Sequence, residues 1–349
     1  MTVITSLRAA VAERILVKDG PYGTAIQAYG LDEAGFRGDR HDLQRDQKGN
    51  NDLLNLTRPD VVGEICEEYI AAGADILGTN SFNANAISQA DYGAEHLVRD
   101  INLAAARIVR DCVDRATAVD GRRRYVAGAI GPTNKTLSIS PLVNDPGHRD
   151  VSFDFVRDVY REQIEALLDG GVDIILIETI FDTLNAKAAI MAVAEASEAR
   201  GNDTPLMISM TITDLSGRNL SGQTVEAFWH SIQHAAPLSV GLNCSFGASE
   251  LRPYVAELAR CADTLILAYP NAGLPNDLGA YDEAPETTAA LIKDWASQGL
   301  VNIVGGCCGT TAAHIAAIAE AVRGLSPRVA PEPVPAMRLS GMEAFNHAA

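Results

Sequence analysis

Three cysteines stand where short apolar runs end, and their positions suit the binding of a metal ion. Cys244 follows the run 238–242, and Cys307 with Cys308 follows the run 302–304 within the sequence Gly-Gly-Cys-Cys-Gly. Three thiolates around one metal leave a fourth position open, which is typical of a catalytic zinc site, whereas structural zinc sites are closed. Buried thiols without a metal are the alternative, because cysteine is often buried. From position alone both interpretations stay open.

A zinc ion held by thiolates suits one kind of reaction in particular. Zinc lowers the pKa of a bound thiol, so a substrate thiol becomes a thiolate at neutral pH. Three anionic protein sulfurs leave the complex electron-rich, so the bound substrate sulfur should stay nucleophilic. This favours alkyl transfer to sulfur over hydrolysis, for which neutral histidine ligands make zinc a stronger Lewis acid.

Eight apolar or β-branched runs alternate with amphipathic helical patterns along the chain. The runs are 15–18, 76–78, 125–130, 174–177, 206–212, 238–242, 265–268 and 302–304. Runs that are apolar throughout suit parallel strands buried on both faces. Eight strands, each followed by a helix, predict a single (β/α)8 barrel, whose strands end at one shared face. The alternative is an open doubly wound sheet, but its glycine-rich dinucleotide motif is absent.

Two segments differ in composition from the rest of the chain: a proline-rich one after residue 325 and a long polar one at 31–55. We expect the barrel to cover residues 1–325 and the proline-rich segment 326–349 to be a tail or linker. The segment 31–55 is long and polar, and a loop of that length after the first strand is expected to cover the active-site mouth.

The charge and cysteine content exclude several classes of protein. The 349 residues carry 28 Lys and Arg against 45 Asp and Glu, a formal net charge of −17. Such an acidic surface repels nucleic acid and anionic lipid, so we expect neither as a partner. No run approaches the ~20 apolar residues that span a bilayer. Six cysteines are too few for a disulfide scaffold, which favours the reducing cytoplasm.

Six motifs in the chain resemble those of the homocysteine S-methyltransferase family. They are DGPYGT at 19–24, TNSFNAN at 79–85, GPTNKT at 131–136, GLNC at 241–244, PNAGLPN at 270–276 and GGCCGT at 305–310. The resemblance covers residues 10–325 and looks most like the homocysteine-binding module of cobalamin-dependent methionine synthase. It implies a zinc-dependent (β/α)8 barrel.

The resemblance also assigns metal ligands. It implies that Cys244, Cys307 and Cys308 hold zinc. Asn271 ends the seventh strand, which lies between the two strands that supply the cysteines. We hypothesise that the carbonyl oxygen of its side chain is the fourth zinc ligand before substrate arrives.

Two carboxylates resemble those that hold the amino group of homocysteine in this family. Asp19 and Glu178 follow the first and fourth strands, so both face the mouth of the predicted barrel and could grip an ammonium group. Their alternative roles are a helix cap or a structural salt bridge. Asn80 and Asn243 are further candidate substrate contacts, although asparagines at strand ends often only satisfy the backbone of a turn.

The implied reaction is methyl transfer to the thiol of L-homocysteine, giving L-methionine. The family's cobalamin-ligand motif, Asp-x-His-x-x-Gly, does not occur in the chain. We therefore expect methylcobalamin to be supplied in trans by a separate cobalamin- and folate-binding methyltransferase protein, with 5-methyltetrahydrofolate as the ultimate donor. The chain would then be the homocysteine-activating subunit of a split methionine synthase, although a part of a longer enzyme would look the same.

Two other functions remain open on the sequence, and a third is disfavoured. The first is a homocysteine methyltransferase that uses betaine or S-methylmethionine directly. The second is a non-catalytic zinc-thiolate barrel that senses oxidants or stores zinc, for which the carboxylate pair has no use. The third is an aldolase, which needs a Schiff-base lysine. Lys18 lies near a strand end, but strict alternation predicts that it points away if Asp19 points inward.

Overall fold

A parallel sheet of eight strands closes into a barrel in the computed structural model, which describes residues 2–333 and 335–347. Strands β1 to β8 are Leu16–Val17, Ile76–Gly78, Tyr125–Ile130, Ile174–Ile180, Leu206–Met210, Ser239–Gly247, Leu265–Asn271 and Ile303–Val304. Each strand pairs with its neighbours in chain order, and β1 also pairs with β8. A single parallel bridge, between Lys18 and Ile76, joins β1 to β2 and completes the ring. The predicted (β/α)8 barrel is confirmed.

Thirteen α-helices occur among the described residues. Helices α1 to α13 are Val3–Glu13, Tyr22–Gln27, Glu33–Arg37, Leu54–Thr57, Pro59–Ala71, Ala86–Gln89, Val98–Asp120, Phe153–Asp169, Thr183–Arg200, Val225–Ile232, Ala248–Cys261, Pro285–Ser297 and Ala312–Ala321. The eight that follow the strands and surround the barrel are α5 and α7 to α13. Local sequence starts several of them, as where the Asp182 carboxylate accepts from the backbone N–H groups of Leu184 and Asn185 at the start of α9.

The core has an outer and an inner layer. The outer layer lies between strands and helices, and the inner layer fills the barrel with side chains such as Leu16, Ile76, Leu176 and Leu267. Helix α1 closes the amino-terminal end of the barrel, because its buried residues belong to the inner layer. Packing at that end leaves the opposite end, where the strands finish, as the open face for polar residues.

The segment 31–55 follows β1 and packs beside the region that follows β2. It contains α3 and runs into α4, and its residue Asn51 accepts a hydrogen bond from the Asn80 side chain at 2.8 Å. Asn80 follows β2, so this bond ties the long segment to the end of a neighbouring strand. The expectation that the segment covers the mouth stays a prediction.

Part of the tail is folded against the barrel, which its proline content did not predict. Strands β9 (Met337–Ser340) and β10 (Ala344–His347) form an antiparallel hairpin. The hairpin packs on α10, where the Ser340 hydroxyl donates to the backbone oxygen of Ala227 at 2.6 Å. The domain boundary at residue 325 stays a prediction, and Met1, Val334, Ala348 and Ala349 lie outside the described residues.

No helix in the described ranges combines the length and the apolar character that crossing a membrane requires.

Candidate metal centre and substrate site

The three cysteines predicted as metal ligands converge at the open end of the barrel. Within the described chain, the sulfur atoms of Cys244, Cys307 and Cys308 all lie within 4.8 Å of one another. The Cys244 and Cys308 sulfurs are 3.7 Å apart. Tetrahedral zinc with sulfur ligands at about 2.3 Å places neighbouring sulfurs about 3.8 Å apart. The cluster therefore has the size and the donor atoms that a zinc ion requires.

Unusual backbone conformations bring the sulfurs together. Cys244 and Ser245 have φ values of 60° and 62°, a left-handed conformation that is rare for residues with a side chain. The Ser245 hydroxyl lies 2.7 Å from that of Thr211, which helps to hold this conformation. On the other side, a Cβ atom at Gly305 would lie 2.8 Å from the backbone oxygen of Lys18. Glycine at that position lets β8 pass close to the end of β1, just before the two cysteines.

The three thiols share protons unequally. The Cys307 and Cys308 thiols hydrogen-bond to the Cys244 sulfur and lower the pKa of Cys244 to about 3. The same hydrogen bonds, with the nearby charge of Cys244, raise the pKa of Cys308 to about 11 and that of Cys307 well above its usual range. The lowered pKa of Cys244 favours a thiolate in the cluster, and a thiolate there attracts a cation.

Asn271 lies beside the cluster with a free oxygen. Its side chain is buried, and its Oδ1 atom accepts no hydrogen bond from the described residues. A buried polar oxygen without a partner is uncommon, and a metal ion is one explanation for it. Its Nδ2 lies 3.5 Å from the hydroxyl of Tyr281, in the loop between β7 and α12. The position is compatible with the predicted fourth ligand.

The Asn243 side chain is fully engaged by protein groups. Its Oδ1 accepts from the Thr179 backbone N–H at 3.1 Å and from the Ser209 hydroxyl at 2.6 Å. Its Nδ2 donates to the Thr179 hydroxyl at 2.8 Å and faces the Cys307 sulfur at 3.8 Å. These contacts link the residue after Glu178 to a metal-site cysteine, so the geometry favours a positioning role over the predicted direct contact with substrate.

Asp19 is buried at the end of β1 and is paired with a lysine. Its Oδ2 accepts from the Gly78 backbone N–H at 2.7 Å, and its Oδ1 accepts from Lys18 Nζ at 2.8 Å. The expectation that Lys18 points away from Asp19 is wrong. The alternation that underlay it requires a continuous strand, but β1 ends at Val17.

Glu178 is the second carboxylate at this end of the barrel. Its Oε2 accepts from the Tyr269 hydroxyl at 2.8 Å. Burial raises the pKa of the Glu178 carboxyl, and the Lys18 ammonium and the Tyr269 hydrogen bond offset only part of this increase. Asp19 and Cys244 raise the pKa further, which shows that Glu178 lies within electrostatic reach of both the other carboxylate and the cysteine cluster.

Asn80, the remaining predicted substrate contact, holds the long segment instead. Its Nδ2 donates to the backbone oxygen of Asn51, and its own backbone oxygen accepts from the Asn55 side chain at 2.6 Å. Direct contact between Asn80 and substrate stays a prediction.

Two residues of the site, Tyr269 and Tyr281, were missed in the sequence, and a third, Lys18, was assigned the wrong direction. Lys18 and Tyr269 lie between the two carboxylates, with Lys18 Nζ 4.9 Å from the centre of the Tyr269 ring. Tyr281 lies near the cysteines, and burial raises its pKa to about 12, with a further increase from the nearby sulfurs. Alternation along β7 could have placed Tyr269 inside the barrel with Leu267, whereas Tyr281 lies on an irregular loop without a local signal.

Comparison with known proteins agrees with this geometry. The fold is similar to that of the homocysteine methyltransferase MmuM from Escherichia coli in three solved forms. The metallated form is 20% identical, with a TM-score of 0.68 over 91% of this chain and 99% of that one. The oxidized form is 21% identical (TM-score 0.69, covering 89% and 98%), as is the apo form (0.62, covering 88% and 96%). A sequence model of the homocysteine S-methyltransferase family matches residues 16–322. The chain therefore belongs to the homocysteine S-methyltransferase family.

Proposed function

We propose that this chain transfers a methyl group to the sulfur of L-homocysteine, giving L-methionine, as the homocysteine-activating subunit of a split cobalamin-dependent methionine synthase. One observation carries the proposal: three cysteine sulfurs meet at one point, beside two buried carboxylates, at the open end of the barrel. Metal storage has no use for the carboxylates, and a substrate that carries both a thiol and an amino group would use both parts of the site.

Cys244, Cys307 and Cys308 would hold zinc, with Asn271 Oδ1 as the fourth ligand before substrate binds. Zinc held there supplies Lewis acidity, which lowers the pKa of a substrate thiol. Three buried thiolates would repel one another without a metal. A divalent cation bound between them compensates their charge, so the three cysteines can be buried close together.

Glu178 and Asp19 would bind the ammonium group of homocysteine. Glu178 is the more accessible of the two, with 9% of its surface exposed against 1% for Asp19. Anchoring the substrate at its amino group fixes the direction of its sulfur, and orientation of this kind contributes strongly to the rate of a displacement between two molecules. Asn243 would support both anchors, because it contacts Thr179 and Cys307.

Apolar side chains around the open end support a donor that is carried by a protein. Val143, Leu215 and Leu278 are 97%, 77% and 93% exposed. They lie on the loops that follow β3, β5 and β7, which all border the open end. We take these exposed apolar side chains on three loops at one end of the barrel as part of a surface for protein contact. We place methylcobalamin on a separate cobalamin- and folate-binding protein that docks there, in the cytoplasm, where the six free cysteines stay reduced.

The first test is the zinc content of the purified protein and its zinc K-edge absorption, with and without L-homocysteine. We expect one zinc per chain and one additional sulfur ligand when homocysteine is added. Cys308→Ser should lose zinc, whereas Cys261→Ser, which changes a cysteine of α11 outside the cluster, should keep it. A purified protein without zinc, or a zinc coordination that homocysteine does not change, would refute the proposal.

The second test identifies the methyl donor. Turnover with methylcobalamin, free or protein-bound, and none with betaine or S-methylmethionine, supports the split methionine synthase. Turnover with a small donor alone would replace it with the direct methyltransferase.

A further inference from the structure

Lys18 places a permanent positive charge inside the candidate substrate site. The residue follows β1 at the bridge that closes the barrel, and only 6% of it is exposed. Its Nζ donates to Asp19 Oδ1 at 2.8 Å and lies over the ring of Tyr269, 4.9 Å from its centre. A cation over an aromatic face is stabilised by the ring quadrupole. The ammonium group is therefore held by a carboxylate and by a ring.

The same tyrosine connects Lys18 to the second carboxylate. Tyr269 offers its ring to Lys18 and donates its hydroxyl proton to Glu178 Oε2 at 2.8 Å. Burial alone would lower the pKa of Lys18, but Asp19 and Glu178 outweigh it and raise the pKa, so the side chain stays charged. Lys18 thus interacts electrostatically with both carboxylates that are proposed to bind substrate.

The two carboxylates share one internal cation, so a second cation meets negative charge that Lys18 already compensates in part. An ammonium group that enters this site meets Asp19 already occupied on both oxygens, by Lys18 and by the Gly78 N–H. It is also repelled by Lys18, and charges a few ångströms apart interact strongly where water is excluded. Without Lys18, neither carboxylate would have a cationic partner when the substrate ammonium binds.

We propose that Lys18 is a tethered competitor of the substrate ammonium, and that it limits how much the amino group of a thiol substrate contributes to binding. This role rests on the proposed function, since it requires that homocysteine binds with its amino group between Asp19 and Glu178. Lys18 keeps the carboxylates compensated while the site is empty, because a buried charge without a partner is costly. The cost of this arrangement is weaker recognition of the substrate's amino group.

A different role for Lys18 makes the opposite prediction. A buried ammonium could instead bind the α-carboxylate of homocysteine. Removal of the charge would then weaken the binding of every thiol that carries a carboxylate, whether or not it carries an amino group. Ligands that each lack one of the two groups distinguish the roles.

The experiment measures Kd by titration calorimetry on the zinc-loaded protein for three thiols. L-homocysteine carries both groups, 4-mercaptobutanoate lacks the amino group, and 3-aminopropane-1-thiol lacks the carboxylate. The variants are Lys18→Met and Lys18→Gln, of which glutamine keeps an N–H donor for Asp19 in case methionine prevents folding. Lys18→Arg keeps the charge and is the matched control. The readout is the ratio of Kd for 4-mercaptobutanoate to Kd for homocysteine, which isolates the amino group.

We expect this ratio to rise about tenfold or more in Lys18→Met and Lys18→Gln, because the amino group gains an uncompensated carboxylate partner. It should stay within about threefold of the parent value in Lys18→Arg. A ratio that is unchanged or lower in both neutral variants would overturn the role of Lys18. So would weaker binding of both carboxylate-bearing thiols with 3-aminopropane-1-thiol unaffected. If no thiol binds the parent protein, the proposed function itself fails; if thiols bind and the ratio does not move, only the role of Lys18 fails.

Discussion

Asn243 and Thr179 are joined by two hydrogen bonds that link β6 to β4. The Thr179 N–H donates to Asn243 Oδ1, and Asn243 Nδ2 donates to the Thr179 hydroxyl. Thr179 has a φ of 59°, which costs conformational energy in a β-branched residue. The paired bonds hold this conformation, and with it the peptide that follows Glu178.

We predict that Asn243→Ala weakens zinc binding about 10- to 100-fold, the usual effect of removing a group that orients metal ligands. The variant loses the Nδ2 contact with Cys307 and releases the strained Thr179 peptide. Its free energy of unfolding should fall by about 1–3 kcal/mol, because buried polar groups lose their partners.

Competition with a metal chelator measures the zinc affinity of this variant. Asn102→Ala is the control, since Asn102 is also buried and bonded to backbone oxygens, but in α7 away from the site. We expect a similar loss of stability in the control with unchanged zinc affinity. Equal zinc affinity in both variants would show that Asn243 serves only the fold.

The convergence of the cysteines could be predicted from the sequence because it depends on topology alone. Apolar runs of strand length that alternate with helical patterns define a barrel, and a barrel brings all strand ends to one face. It was therefore enough to recognise that Cys244, Cys307 and Cys308 stand at the ends of strands. Their distances could not be predicted, because they depend on left-handed backbone at Cys244 and on the close approach of Gly305 to β1.

Lys18 and the tail could not be predicted for a different reason. The direction of Lys18 depends on where β1 ends, and a strand boundary shifted by one residue reverses the predicted face. The hairpin in the tail depends on bonds between residues far apart in the chain, such as that of Ser340 to Ala227. Proline content reports local backbone preferences and carries no information on such contacts.

We predict that Asn271→Ala changes the coordination of zinc before substrate binds. The side chain of Asn271 contacts Cys244 and its oxygen has no partner among the described residues, so the parent protein should show three sulfur ligands and one oxygen or nitrogen ligand. The variant should show a different light-atom ligand or distance in the zinc K-edge spectrum. Asn276→Ala, an exposed position in the loop that follows β7, should match the parent. Unchanged coordination in Asn271→Ala would exclude the oxygen as a ligand.

The exposed apolar loops make a prediction about the donor. The double variant Val143→Ser, Leu278→Ser removes two of the most exposed apolar side chains near the open end. We expect kcat/KM with protein-bound methylcobalamin to fall about tenfold, which corresponds to the loss of about 1.4 kcal/mol of contact. The affinity for homocysteine should not change, because neither side chain lies in the site.

Free methylcobalamin separates docking from chemistry in this variant, since its rate should equal that of the parent. Val329→Ser changes an equally exposed apolar residue in the tail and should affect neither rate. A loss of rate with free methylcobalamin would place the effect in the site and not in docking.

We predict that the free energy of unfolding depends on pH through the buried carboxylate of Asp52. This residue is buried in the segment 31–55, and its Oδ1 accepts from the Asn83 backbone N–H at 3.0 Å. Burial raises its pKa from 3.8 to about 7, although backbone hydrogen bonds oppose the change. The folded protein therefore binds more protons than the unfolded chain between these two pKa values. Its stability contribution is intact below pH 4 and is lost as the pH rises through 7.

Asp52→Asn keeps an acceptor oxygen for Asn83 and removes the titration. Its stability relative to the parent should increase by about 2–3 kcal/mol between pH 5 and pH 8, since each pKa unit corresponds to about 1.4 kcal/mol. Urea unfolding at both pH values measures this difference. Asp46→Asn, which changes an exposed carboxylate of the same segment, is the matched control. A difference between Asp52→Asn and the parent that is constant from pH 5 to pH 8 would show that Asp52 is ionised throughout this range.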